Sequence, residues 1–160
     1  DATDAVTYGN ISKTTQAWWE SKIDRTTTAL TIPAMRTLAG RLTEDNETPD
    51  ILVTTQAQYD NYYNELQPQQ RFADADLARG GFKNILFEGR PVVVDSHCPT
   101  GFLYMFNTDY IDLVSHEEEN MRFEPFRQPY NQAGRTAFIF WAGNLTCSNC
   151  RFQGAFTALT

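Results

Sequence analysis

The spacing of apolar positions changes several times along the chain, and each change marks an element. A polar, Thr-rich opening runs to Trp18-Trp19, after which Asp24 to Thr28 reads as a turn or a short extended stretch. Leu30-Thr31-Ile32-Pro33 then place a hydroxyl N-cap before a first-turn Pro. Met35, Leu38 and Leu42 follow at three- and four-residue spacing, which predicts a helix from Ile32 to Leu42. An acidic loop, Thr43 to Pro49, leads to the short β-branched run Asp50-Ile51-Leu52-Val53-Thr54, which suits a buried strand. A second helix starts after Thr55 as cap, with Tyr59, Tyr62, Tyr63 and Leu66 along one face, and ends at Gln67-Pro68-Gln69-Gln70.

From Phe82 the period becomes that of strands. Ile85-Leu86-Phe87, a turn at Glu88-Gly89-Arg90-Pro91 and Val92-Val93-Val94-Asp95 predict a hairpin. Phe102 to Phe106 is another strand, and Asn107-Thr108-Asp109 a turn into Tyr110-Ile111-Asp112-Leu113. In the tail, Arg135 to Trp141 and Arg151 to Leu159 are β-prone runs on either side of Gly143 to Cys150, which reads as a connecting turn with its flanks. There is no repeat, no low-complexity block and no strand-helix alternation of doubly wound type. The fold class is α+β.

Length and charge narrow the function. The 160 residues suffice for one core or two small ones, and 13 basic against 20 acidic side chains give 13 − 20 = −7. Such a chain repels polyphosphate, and no local basic cluster offsets that, so sequence-specific nucleic-acid contact is not expected. No run approaches the ~20 apolar residues that cross a bilayer, and no membrane partner is expected. The first residue, Asp1, suits a processed chain or a piece of a longer one. Three cysteines are too few for a stapled secreted scaffold and point to a reducing compartment. Sequons at Asn10, Asn46 and Asn144 are ordinary in a chain rich in Asn, Ser and Thr.

Each candidate constellation has a plainer reading beside it. Asp95, His97 and Cys98 offer the carboxylate, imidazole and thiol of a small hydrolase, but in a continuing strand His97 and Cys98 point to opposite faces. His116 beside Glu117-Glu118-Glu119 resembles a ligand cluster, yet consecutive residues seldom converge on one ion, and a solvated acidic loop is the simpler account. Cys147-Ser148-Asn149-Cys150 has CxxC spacing without the helix that lowers a redox thiol's pKa; with Cys98 it offers at most three ligands for a zinc-stabilised module. Gly80-Gly81 precedes a strand rather than a helix, so it reads as a tight turn and not a phosphate cradle. Tyr59, Tyr62 and Tyr63 read as a packed helix face before a stacking platform. No catalytic set survives: the chain is expected to be no enzyme, to need no cofactor, and to act through its surface.

The order of segments resembles the major capsid proteins of tailed bacteriophages, whose Hong Kong ninety-seven fold is shared by encapsulin shells. The resemblance rests on Pro49 to Thr54 with Tyr59; on Leu66-Gln67-Pro68 with Arg71-Phe72; and on Gly81 to Asp95. Tyr104 to Asn107 with Leu113, and Trp141 to Leu145 with Asn149 and Arg151, complete it. It covers most of the chain from about Ile11. It implies an axial domain over 28–134, two helices on a central sheet, with 1–27 and 135–160 supplying peripheral-domain strands. The family's N-terminal arm, extended loop and spine helix have no match here, so the chain resembles the C-terminal portion of a larger subunit.

The resemblance implies a structural subunit that self-assembles through hexamers and pentamers into an icosahedral virion head. Assembly would take place in the bacterial cytoplasm, with scaffolding, portal and protease proteins as further partners. The Gln67, Arg71, Asp74, Asp76 and Arg79 segment would then meet a neighbouring subunit. An encapsulin-like compartment shell is the alternative within the same class.

Overall fold

A computed structural model of the chain describes residues 7–66 and 85–160. It divides into two compact units, Asp1–Tyr110 with Asn149–Thr160, and Ile111–Ser148.

The first unit opens with a two-residue hairpin, β1 (Thr7–Tyr8) and β2 (Ile11–Ser12), turning through Gly9 and Asn10 at positive φ. Strand β3 (Lys22–Asp24) ends where Asp24 accepts the backbone N–H groups of Thr26 and Thr27 at 2.9 and 3.0 Å and both their hydroxyls. Those donors, the Thr26 N–H first, hold its carboxyl down at about 2. Helix α1 (Ile32–Leu42) begins as its sequence predicts: Thr31 is extended and its hydroxyl accepts the Ala34 N–H at 3.4 Å, with Pro33 in the first turn. Met35, Leu38, Ala39 and Leu42 are its buried stripe. Strand β4 (Ile51–Thr54) and helix α2 (Gln56–Leu66) follow. In α2 the buried positions are Gln58, Tyr59 and Tyr62, while Tyr63, expected on that face, is exposed. At 100° per residue, positions 58, 59 and 62 cluster and 63 falls outside them.

The hairpin β5 (Ile85–Phe87) and β6 (Arg90–Val94), the strand β7 (Leu103–Phe106) and the closing strand β12 (Gly154–Phe156) complete a six-stranded sheet. Its order is β3-β12-β7-β4-β6-β5. β3 pairs parallel with β12 and β4 with β6; the remaining pairs are antiparallel. Segments 1–27 and 135–160 thus each send a strand into the sheet that holds β4, β6 and β7. Of the expected run Arg151 to Leu159, Gly154–Phe156 is strand, and a 3₁₀ turn, Cys150–Phe152, precedes it.

The crossovers explain the layering. Going from β3 through α1 to β4, and from β4 through α2 to β6, the chain steps the same way across the sheet, and right-handed crossovers in one direction lay both helices on one face. Side chains agree: a Cβ on Gly154 would meet Leu42 of α1, and Tyr62 of α2 packs on Phe87 and donates its hydroxyl to the Leu86 carbonyl. Between helices and sheet lie Leu30, Met35, Leu38, Leu42, Leu52, Tyr59, Tyr62, Phe87, Val92, Leu103, Met105, Phe156 and Leu159.

The second unit is two antiparallel ladders. β8 (Ile111–Ser115) pairs with β11 (Gly143–Cys147), and β9 (Arg122–Arg127) with β10 (Thr136–Phe140). The His116 N–H to the Ala142 carbonyl and the Ala142 N–H to the Glu119 carbonyl carry the pairing between ladders. Here one expectation changes and a strand appears for which no element is read from the sequence. Gly143 to Cys147 is a strand rather than turn flank, because β8 supplies a full register of partners; and Arg122–Arg127 is a strand despite Pro125. The register of β9 against β10 shifts by one residue there, a bulge that accommodates the missing proline N–H.

Candidate assembly surfaces

Strand β6 stops at Val94, so the enzyme-like cluster lies in a turn and not along a strand. Asp95 accepts the His97 N–H at 2.9 Å and lies 3.3 Å from its Nδ1. That backbone N–H is the main reason its carboxyl sits below the usual range. His97 stands out in solvent. The Cys98 Sγ instead lies 3.7 Å from the carbonyls of Pro99 and Phe102, and burial, then the Asp95 charge, pushes the thiol up. A nucleophilic thiol needs the opposite shift and an imidazole beside it. These three residues form an Asx turn and a half-buried thiol.

His116 caps the 3₁₀ turn Glu117–Glu119 by accepting the Glu118 N–H at its Nδ1, 3.2 Å away, and the turn is largely exposed. Among the described residues no three His, Cys, Asp or Glu side chains are grouped as metal ligands. Cys147 ends β11 and Cys150 opens the following 3₁₀ turn. Gln67, Arg71, Asp74, Asp76 and Arg79, expected at a neighbour's surface, lie outside the described residues, as does Gly80-Gly81.

The first notable surface is the 111–148 unit itself, in which no residue is buried. Register sorts its side chains. Leu113 lies opposite Leu145 and Ile111 opposite Cys147, so one face of the β8/β11 ladder is apolar, while Asp112 with Thr146 and Val114 with Asn144 share the other. Leu113 and Leu145 remain 69% and 62% exposed. In the β9/β10 ladder Phe123 lies opposite Ile139, at 55% and 68% exposure. The reverse face carries Phe138 and Phe140 with ring centroids 6.0 Å apart and the Arg122 guanidinium 5.0 Å from the Phe140 ring. Two-stranded ladders are marginal alone and need a further layer on their apolar side. So many exposed large apolar side chains on so short a segment mark an interaction surface.

The second surface is the face of the six-stranded sheet opposite α1 and α2, helix-free among the described residues. Ile23, Ala155, Tyr104, Val53 and Val93 follow one another in a single cross-strand row, and Phe102, Tyr104 and Phe106 stack along β7 at 5.8 and 5.4 Å. The apolar content of these strands was visible in the sequence. Which side would stay uncovered was not, because that depends on the direction of both crossovers.

No protein-family model matches the chain, and no curated protein matches its sequence. Solved structures do. It is similar to the cyanophage A-1(L) capsid asymmetric unit, at 21% identity over 96% of this chain and 54% of that one, with a TM-score of 0.63. It is also similar to the holo-SrpI encapsulin complex from Synechococcus elongatus PCC 7942, at 10% identity over 86% and 52%, with a TM-score of 0.61. The chain therefore has the Hong Kong ninety-seven fold that its segment order resembles, and it spans about half the length of the chains it matches.

Proposed function

We propose that this chain is a structural subunit of a self-assembling icosahedral shell, the head of a tailed phage or prophage, and that it performs no catalysis. The carrying observation is the 111–148 unit, which forms two strand ladders but has no buried residue. A segment that gains almost nothing from burial within its own chain is built to gain it against another. Single contacts of this size are weak, since stable pairs bury about 800 Å² per partner, and a closed shell lets many act together.

In this proposal domain names follow the compact units, because parallel pairing ties β3 and β12 to the central sheet. The six-stranded unit takes the axial role and 111–148 the peripheral one, rather than dividing at 27/28 and 134/135. The Gln67 to Arg79 segment remains a proposed neighbour contact, tested by reversing Arg71 and Arg79 and measuring assembly. Virion localisation, and scaffolding, portal and protease partners, belong to the same proposal; the net charge of −7 suits a container that does not clamp its DNA.

The test is sedimentation mass across a concentration series with negative-stain imaging of the same samples. Rings of five or six, or shells, are expected; the mass of one chain at every concentration sinks the reading. Shells recovered around DNA favour the phage head, and shells around protein cargo favour an encapsulin-type compartment.

A further inference from the structure

The six-stranded unit has two broad faces of unlike chemistry. The helix-free face is uncharged along its central row, and Val93 within that row is 41% exposed. At its carboxyl-end margin, one residue beyond β6, stands Asp95, a carboxylate held ionised by the His97 N–H; β3 runs parallel to β6, so Arg25, beyond β3, stands at the same margin but at the far edge of the sheet. The other face of the unit is the outer surface of its helices. On α1 that surface is Pro33, Arg36, Thr37, Gly40 and Arg41. Arg36 and Arg41 are the only charges of α1, so the helix is basic throughout its length. Arg36 reaches Glu88 at 3.0 Å. Arg41 makes no ion pair or hydrogen bond among the described residues, and open space lies beyond Gly40, so a flat sheet can approach the helix backbone closely.

We propose that the outer surface of α1 in one copy seats on the helix-free sheet face of the next, with Arg41 directed toward Asp95 at the β6 end of its carboxyl margin. This rests on the shell reading above and names the partner of that face: a second copy of this chain. Opposite faces meeting make a heterologous contact, in which each copy receives one neighbour and is received by another, and a rotation that closes gives a ring. Size argues the same way. Six strands about 4.8 Å apart and about four residues long offer on the order of 300 Å² in projection. That is below the ~800 Å² per partner of a stable pair, so the contact needs ring closure to persist.

Two variants test it: Arg36→Glu with Arg41→Glu, which reverses the helix surface, and Val93→Lys, which charges the sheet face. Thermal melts identify any variant that fails to fold; for the sheet face Val93→Thr is the substitute. Each folded variant alone should need at least a tenfold higher concentration to assemble. Mixed in equal amounts, one variant keeps an intact sheet face and the other an intact helix surface, so the mixture should show a dimer-sized species that neither forms alone. The proposal is overturned if either folded variant assembles like the unchanged chain, if the mixture keeps the masses of its parts, or if the unchanged chain stops at two copies joined back to back. An unchanged chain that never leaves monomer mass would instead sink the shell reading itself.

Discussion

At the scale of single residues, chemistry that acts over a few positions was legible and chemistry that closes over long distances was not. Thr31 and Pro33 start α1 as their types require. Asn107, by contrast, is buried in a reciprocal pair with Gln153: its N–H reaches the Gln153 Oε1 at 3.1 Å, and the Gln153 Nε2 returns to its carbonyl at 3.0 Å. Nothing near either residue announces a partner 46 positions away. Asp24 yields a prediction with a sign. Its folded pKa, about 2, is depressed from 3.8, so the stability it contributes is present above about pH 4 and is lost as pH falls from there through about 2. Asp24→Asn should therefore flatten the fall in melting temperature between pH 4 and pH 2. At neutral pH it should cost on the order of 1 kcal/mol, because the group is half-exposed and water competes for its bonds. Gly101 yields a second. At φ +81° it accepts the Leu159 N–H at 3.0 Å, and a Cβ there would stand 2.7 Å from the Leu159 carbonyl oxygen. Gly101→Ala, combining a left-handed backbone with a clash against main chain, should cost about 2 kcal/mol or more in urea unfolding.

At the scale of elements, strong periodicity was readable and dependence on a partner was not. α1, β4 and the β5/β6 hairpin carry their pattern within themselves. β9 and β11 do not: one contains Pro125 between Glu124 and Phe126, the other begins Gly143-Asn144, and each is a strand because its cross-ladder neighbour supplies the hydrogen bonds. The contrast between buried and exposed leucines gives a prediction. Leu52 is fully buried, and Leu52→Ala should cost about 3 kcal/mol. Leu113→Lys with Leu145→Lys changes a facing, exposed pair, so the melting transition should move by less than the equivalent of about 0.5 kcal/mol. If that ladder face meets a neighbour, the same double variant should abolish assembly in sedimentation. Normal melting with normal assembly would show that the face has no such role.

For the whole molecule, class and segment order could be read from the chain, while the unequal covering of the sheet could not. An α+β class leaves open whether helices cover one face or both; two crossovers stepping in one direction decide it, and the strand order that fixes their direction is itself a product of folding. The surfaces left open are apolar, and the molecule carries −7. Two opposed terms then govern association. Repulsion between like-charged copies acts at long range and is screened beyond about 10 Å at 0.1 M salt. Apolar contact acts at short range and is not weakened by salt. The local attraction of one or two arginines per contact is screened too, but it is outnumbered by the net charge on each copy. Raising sodium chloride from about 0.02 M to about 0.3 M, across which the screening length shrinks severalfold, should therefore lower the concentration at which sedimentation detects the first oligomers. A rise in that concentration would mean that ion pairs such as Arg41 with Asp95, and not the apolar faces, hold the copies together.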